Sequence, residues 1–157
     1  MKYLSMMACT LLLTLAVNAQ SSKYRCMVQM NSYMGEGAYI VVSLVDDKGA
    51  YDKTLYVLGD DRKWYKSLKE WYKYYTAKKP DLSAITGASV AGGDRSVKII
   101  EIEDSKINAG YKLKFESAVE DKPYHEKDVE VPLTTEALSG KTNGAGYIQF
   151  VRFSKVQ

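Results

Sequence analysis

The chain has few of the residues that most often carry chemistry. Its 157 residues include two cysteines and one histidine. We expect Cys9 to leave with an N-terminal export signal, so Cys26 would stand alone and could form no disulfide within the chain. Its place in an alternating apolar run indicates a buried, inert thiol. A redox or intermolecular role for Cys26 is the alternative.

The single histidine gives little support to hydrolysis or metal binding. His125 lies in KPYHEKDVE, and no serine elbow marks a partner for a Ser-His-Asp triad. A metal site at His125, Glu126 and Asp128 is weakly supported, because one histidine with scattered carboxylates is common. An exposed histidine at a strand start is the favoured interpretation. Gly92-Gly93 lacks the Gly-Lys-Ser/Thr ending of a P-loop, and a hydrolase is the least favoured function.

Neither sign of charge dominates, and long apolar runs are missing after the N-terminus. Lysine and arginine total 22 against 19 acidic residues, a balance that does not suggest a nucleic-acid-binding protein. No segment after the first twenty residues is apolar for the roughly 18 residues that a membrane-spanning helix needs. A second membrane span is therefore not predicted.

The N-terminal segment itself resembles an export signal. Lys2 precedes a mostly apolar stretch over residues 3–16, and Val17-Asn18-Ala19 fits a cleavage site. This pattern predicts a signal peptide over residues 1–19. A lipoprotein signal at Cys9 is the alternative, although MMAC comes before most of the apolar run. We expect an exported, most simply periplasmic, protein whose mature part, residues 20–157, is a single domain.

Alternation with a period of two residues covers most of this mature part. Tyr24, Cys26, Val28 and Met30 share one face. Residues 39–45 are apolar on both faces, which predicts a central strand covered on both sides, followed by a turn at Asp46-Asp47-Lys48-Gly49. About seven strands with one helix predict a mainly β fold, an antiparallel immunoglobulin-like β-sandwich. The glycine-rich segment 139–146 is predicted to be a flexible loop.

The period changes to that of a helix over about residues 62–77. One face would carry Trp64, Leu68, Trp71, Tyr72 and Tyr75. Asp60 or Asp61 could cap the start, and Pro80 would follow the end. The favoured interpretation is an amphipathic helix packed on the sheet with its lysines in solvent. The alternative is a docking face for a flat ring or an anion.

A short hydroxyl-bearing stretch follows this helix. DLSAITGAS, residues 81–89, ends in Thr86-Gly87-Ala88-Ser89. Small neighbours would leave the Ser89 hydroxyl open to an enzyme that modifies it, and the helix would bring aromatic rings nearby. The alternative is a plain connection that uses small residues for its turn.

This stretch resembles a known acceptor motif. Thr-Gly-Ala-Ser is similar to the Ser-Gly-Ala-Thr core to which FMN is covalently attached in FMN-binding domains of sodium-pumping and related electron-transport complexes. The resemblance implies that a flavin transferase, with magnesium, transfers FMN from FAD to the last hydroxyl, here Ser89. The cofactor-binding residues implied are Ser89, Thr86, Gly87, Ala88 and Asp81, with Trp64 and Trp71 shielding the flavin ring.

A second resemblance covers most of the chain. Four features follow one another in an order that resembles domain-of-unknown-function family 2271. They are Thr54-Leu55-Tyr56-Val57, the helix with Trp64, Leu68 and Trp71, the TGAS loop, and Gly110-Tyr111 with Glu116. Members of that family are predicted periplasmic proteins that occur with PepSY-type membrane flavoreductases and flavin transferases. The resemblance implies flavin-linked electron transfer outside the cytoplasm. This chain has serine as the acceptor, and Ser83 stands where the pattern has aspartate, two residues after Asp81.

Two hypotheses from different classes follow. In the first, the protein is an electron carrier with covalent FMN on Ser89, and has no independent catalytic activity. In the second, it is a non-catalytic binding or accessory module without cofactor, in which the aromatic helix or segment 139–146 contacts a partner. Replacement of Ser89 by alanine separates the two, because only the carrier would lose flavin.

Overall fold

The computed structural model describes residues 19–157. The predicted signal peptide, except Ala19, lies outside the described residues, as does Cys9. The described elements are, in chain order, β1 (Ser21–Met30), β2 (Tyr39–Val45), β3 (Tyr51–Leu58), a 3₁₀ helix (Arg62–Ser67), α1 (Lys69–Lys78), β4 (Thr86–Gly87), β5 (Arg95–Glu103), a second 3₁₀ helix (Asp104–Lys106), β6 (Lys112–Ala118), β7 (His125–Pro132), a third 3₁₀ helix (Ala137–Ser139), β8 (Lys141–Asn143) and β9 (Ile148–Lys155). None of the described helices has the length and apolar character needed to cross a membrane.

The strands form two sheets. One has the order β5-β1-β9-β8 and the other β4-β3-β2-β6-β7. Neighbouring strands are antiparallel, except that β3 and β4 are parallel. The predicted mainly β sandwich is therefore confirmed. Nine strands are described where about seven were predicted, because β4 and β8 have only two and three residues, too few for a detectable period.

The main core lies between the two sheets. The predicted inward face of β1, with Tyr24, Cys26, Val28 and Met30, is buried there and is confirmed. Residues from β2, β3, β5, β6, β7 and β9 and from the connecting segments complete this core. Burial of these side chains supplies most of the driving force for folding, at roughly 1.5–3 kcal/mol for each large aliphatic or aromatic side chain.

Cys26 offers a direct test of this core. Its side chain is only 2% exposed, and burial raises the pKa of the thiol to about 12. Because the thiolate is the reactive form, we expect the peptide containing Cys26 to remain unlabelled by iodoacetamide at pH 8 in the folded protein and to be labelled fully in urea. Rapid labelling under native conditions, measured by peptide mass spectrometry, would contradict the burial of this strand.

Strand β2 is covered on both sides, as its sequence predicted. Ile40, Val42 and Leu44 face the main core, and Val41 belongs to a second apolar cluster. The predicted turn after β2 is also present, with Gly49 at φ 83°, a backbone conformation that glycine adopts readily. The second cluster lies between the five-stranded sheet and the helical segment, so that segment forms a third layer over one sheet only.

The helical segment differs from its prediction. A single helix over 62–77 was expected, but a 3₁₀ helix and α1 meet at Leu68. A 3₁₀ helix has three residues per turn, so Tyr65 and Leu68 point to the same side. Tyr65 is therefore buried and Trp64 only partly so. Of the two predicted cap residues, Asp60 and Asp61, the structure has Asp61 at the start of the 3₁₀ helix, where its carboxylate accepts the Lys63 N–H at 3.1 Å.

Candidate functional site

The TGAS segment is held at both ends by backbone pairing. Thr86 and Gly87 form β4 at the edge of the five-stranded sheet beside β3, and the Gly59 N–H donates to the Gly87 carbonyl at 2.6 Å. Val90 exchanges two backbone hydrogen bonds with Ala38. Between these anchors, Ala88 and Ser89 are exposed. The expected acceptor hydroxyl is thus at the surface of a fixed segment.

Ser89 lies in a small pocket beside Trp64. The cavity has a volume of about 140 Å³, and we call it the Ser89 pocket; its lining is formed by Glu36, Gly37, Tyr39, Trp64, Ser67, Ser89, Ala118, Val119 and Glu120. A Cβ atom at Gly37 would be 2.5 Å from the Ser89 Oγ. Glycine at 37 is therefore required for the close approach of Ser89. The structure brings together Ser89 and Trp64, which are 25 positions apart in sequence.

Thr86 and Gly87 have local roles beside this pocket. The Thr86 hydroxyl donates to the Leu82 carbonyl at 2.7 Å, so it is engaged within its own turn. A Cβ at Gly87 would lie 2.7 Å from the Tyr56 hydroxyl and 3.4 Å from the Lys98 Nζ. That ammonium also stands 5.6 Å from the centre of the Tyr56 ring. A positive charge and a hydroxyl therefore flank the segment two residues before Ser89.

The structure does not bring Asp81 and Trp71 to the Ser89 pocket. Asp81 accepts the Ser83 backbone N–H at 3.0 Å, and this hydrogen bond lowers the pKa of the carboxyl. Trp71 is 0% exposed, and its indole N–H donates to the Thr54 hydroxyl at 2.9 Å. Neither residue lines the pocket. Trp71 supports the fold, and Trp64 is the tryptophan within reach of Ser89.

The chemistry that sequence reasoning largely missed is a buried polar cluster. The Glu116 carboxylate accepts hydrogen bonds from the hydroxyls of Tyr51 and Tyr124 and from the Trp71 backbone N–H at 3.2 Å. The Lys114 Nζ lies 3.5 Å from it. Burial raises the pKa of Glu116. Burial also raises the pKa of both tyrosines, and their hydrogen bonds to Glu116 raise the tyrosine pKa further. Both hydroxyls therefore keep their protons and can donate.

This cluster caps α1 from a distant strand. Leu68, at the cap position, makes no side-chain hydrogen bond to the helix. The Glu70 and Trp71 N–H groups donate instead to Tyr124 and Glu116, which satisfies helix donors that lack an internal partner and places a carboxylate near the positive end of the helix dipole. Glu116 is 0% exposed, so its carboxylate is out of reach of solvent and serves to hold the helix. Strand β6 reads KLKFESA, in which Lys114 and Glu116 alternate with Leu113 and Phe115; that pattern is typical of a polar face in solvent, so it gave no signal that Glu116 is buried.

His125 begins β7, as the sequence predicted, but it is partly buried. Its ring packs edge-on against Tyr147, with centroids 4.8 Å apart. Asp128, expected as a possible metal partner, is buried and accepts backbone N–H groups from residues 145, 146 and 148. Among residues 19–157, no group of three or more histidine, cysteine or acidic side chains is arranged to hold a metal ion.

Comparison with known protein families shows a match over most of the described residues. Residues 21–150 match the model of the family described as "Predicted periplasmic protein (DUF2271)". Comparisons with curated proteins and with solved structures found no match.

Proposed function

We propose a function from one premise, which is that the chain belongs to the DUF2271 family of predicted periplasmic proteins. The protein is accordingly placed in the periplasm. The proposed function is that of an electron-transfer protein that carries FMN covalently on Ser89. The observation that supports it is the shared pocket of Ser89 and Trp64, where an exposed hydroxyl adjoins an aromatic ring.

The residues present fit a surface-attached flavin. The Ser89 pocket, at about 140 Å³, is smaller than the roughly 300–1,000 Å³ of sites that enclose a small molecule. A flavin on Ser89 would therefore be covered only in part, which leaves it accessible to a redox partner. Lys98 beside Gly87 supplies a positive charge for the phosphodiester, whereas Glu36 and Glu120 at the pocket do not favour an anion there.

The attachment step requires only the Ser89 hydroxyl and a transferase. The Ser89 Oγ forms a bond to the FMN phosphorus of FAD, the pyrophosphate bond breaks, AMP leaves, and the hydroxyl proton passes to a base of the transferase. Attached FMN supplies one- and two-electron chemistry, while the protein supplies position and environment. Here Trp64 would cover part of the ring. The partners implied are a flavin transferase and, as electron donor, a PepSY-type membrane flavoreductase.

Replacement of Ser89 by alanine is expected to abolish flavin attachment. The exported protein would be co-expressed with an active flavin transferase and measured by intact mass spectrometry with peptide mapping over residues 81–95. The expected gain is one FMN minus one water on Ser89 in the wild type, and no gain in S89A. Ser67→Ala is the matched control, because Ser67 lines the same pocket but lies outside the TGAS segment, so S67A should be modified like the wild type.

An unmodified wild-type peptide, measured where a known acceptor in the same cells is modified, would reject the carrier. The cofactor-free binding module is the second candidate, and one observation favours it. Asp81 and Trp71, both implied by the resemblance to act with flavin, are engaged elsewhere. In that case neither the wild type nor S89A would gain the mass of FMN, and S89A would bind its partner as the wild type does.

A further inference from the structure

Among residues 19–157, no helix or strand forms a layer over the outward face of the four-stranded sheet. The inward face of β1 packs into the main core, and the helical layer covers only the other sheet. The outward face carries apolar side chains where an exposed antiparallel sheet normally has polar ones. Val97 and Ile99 on β5 are 44% and 48% exposed. Contiguous exposed apolar patches with a polar rim mark interaction sites on many proteins, and these two side chains, two residues apart on one strand, are neighbours on this face.

This face also has an unusual share of the arginines. The chain has four, Arg25, Arg62, Arg95 and Arg152, and all except Arg62 lie on it. Strand register places Met27 opposite Val97 on one side and Arg152 on the other, with Arg25 two residues before Met27 on the same face. None of these three arginines forms an ion pair with another residue of the described part.

A trough runs over this face. Its volume is about 620 Å³, and we call it the basic trough. Arg25, Met27 and Arg152 from β1 and β9 line it together with Val97 of β5 and with Thr135 and Ser139 beside the third 3₁₀ helix. No aspartate or glutamate is among the described residues that line it, and most of the lining is apolar. The volume falls within the roughly 300–1,000 Å³ typical of small-molecule sites.

We infer that the basic trough binds an anionic amphiphile, a molecule with one apolar chain and a carboxylate or phosphate head. The chain would lie along Met27 and Val97, and the head would pair with the guanidinium groups of Arg25 and Arg152. Arginine is suited to this role because its planar donors match carboxylate and phosphate oxygens in pairs. A flat bilayer is a less suitable ligand than a single amphiphile, because the floor of the trough is recessed and a planar membrane surface would contact it poorly. A head group from a free fatty acid and one from a phosphate ester share this chemistry.

The inference is independent of flavin attachment. The basic trough and the Ser89 pocket share no lining residue. An S89A variant should therefore bind the amphiphile as the wild type does, and the two proposals can fail separately.

The test is calorimetric titration of the exported protein with dodecanoate and with dodecyl phosphate, each below its micelle concentration. Saturable 1:1 binding is expected for at least one of the two, with much weaker binding of uncharged dodecyl maltoside. Binding of dodecanoate alone would assign a carboxylate head, and binding of dodecyl phosphate alone a phosphate head. The double variant R25Q/R152Q is expected to raise Kd roughly tenfold or more, the effect of losing charge-assisted hydrogen bonds.

Matched variants separate the trough from the rest of the face. Arg95 and Ile99 lie on the same face but do not line the trough, so R95Q and I99S should leave Kd unchanged. V97S, which removes an apolar wall, should raise Kd roughly threefold. All these side chains are exposed, so the variants are expected to fold, and circular dichroism would check this.

Three results would overturn the inference. One is the absence of saturable binding of both anionic probes. Another is an equal loss of affinity in R25Q/R152Q and R95Q, which would indicate general charge attraction. The third is binding to phosphatidylglycerol vesicles that depends on Arg25 and Arg152 while neither probe binds, since that would assign the face to a membrane surface.

Discussion

Replacement of Glu116 by alanine is expected to lower the free energy of unfolding by roughly 3–5 kcal/mol, the usual cost of removing one partner from a buried charged pair. The variant would leave the hydroxyls of Tyr51 and Tyr124 and the Trp71 N–H without their acceptor. It would also remove one of the negative charges that neighbour the buried Lys114 ammonium. The start of α1 and the centre of the sheet would both lose hydrogen bonds, because Glu116 joins them.

The Glu116 carboxyl should also make the free energy of unfolding depend on pH. Burial raises the pKa of Glu116 above its ordinary value of 4.5, so just above pH 4.5 the folded protein holds a proton that the unfolded chain has released. By linkage, the contribution of this group is fully present below pH 4.5 and is lost as the pH rises through the folded-state pKa. Glu116→Gln, which cannot ionise, should remove this part of the pH profile while costing less stability than alanine.

Urea denaturation followed by circular dichroism at several pH values measures both effects. Glu126→Ala is the matched control, because Glu126 also contacts the Lys114 Nζ, at 3.0 Å, but its side chain is 45% exposed. Water can replace the half-exposed Glu126 carboxylate, whereas nothing replaces the buried Glu116 carboxylate, so E126A should cost clearly less than E116A. Equal losses in E116A and E126A, or an unchanged pH profile in E116Q, would show that Glu116 does not hold the helix as described.

The parts of the fold that sequence predicted are those determined by local pattern. Strand β1 has one apolar face and β2 has two, and each is buried as its pattern indicates. The turn after β2 needs only Asp46 and Gly49, and the Asp46 carboxylate accepts N–H groups two and four residues ahead. Side-chain alternation and turn chemistry act within a few residues, so one sequence is enough to recognise them.

The helical segment was mispredicted because residues distant in the sequence determine where α1 begins, and therefore which side chains face the sheet. Glu116 and Tyr124 hold the first turn of α1, and the preceding residues form a 3₁₀ helix. A continuous period of 3.6 residues placed Trp64 on the face of Trp71. The break at Leu68 instead buries Tyr65 and leaves Trp64 at the surface beside Ser89. No local pattern contains that information.

The candidate site was only partly predicted, because some of its residues also come from distant parts of the sequence. TGAS marked an accessible hydroxyl, and Ser89 is exposed. Its neighbours in space, Gly37 and Glu120, come from other loops and have no motif that links them to Ser89. Asp81 was grouped with Ser89 on sequence distance, but its carboxylate turns to the Ser83 N–H, the short-range hydrogen bond that aspartate commonly makes in turns.

Replacement of Asp128 by alanine is expected to lower the free energy of unfolding by about 2 kcal/mol or more, since the Ile148 N–H and the Ser117 hydroxyl, both buried, lose their acceptor at about 1–3 kcal/mol each. Its carboxylate accepts the N–H groups of Ala145, Gly146 and Ile148 at 3.1, 2.7 and 3.0 Å, and the Ser117 hydroxyl also donates to it. Segment 139–146 was predicted to be a flexible loop, but it contains β8 and is fastened to β7 through this side chain.

Hydrogen exchange would locate the loss, because the amides of residues 146 and 148 should lose protection in D128A while the amides at the centre of the sheet keep theirs. Glu130→Ala is the control on the same strand, since Glu130 is partly buried and should cost less than about 1 kcal/mol as a surface substitution. Equal stability and equal amide protection in the two variants would contradict the role of Asp128. The expected contrast would show that one long-range carboxylate fixes a glycine-rich segment that composition alone marks as mobile.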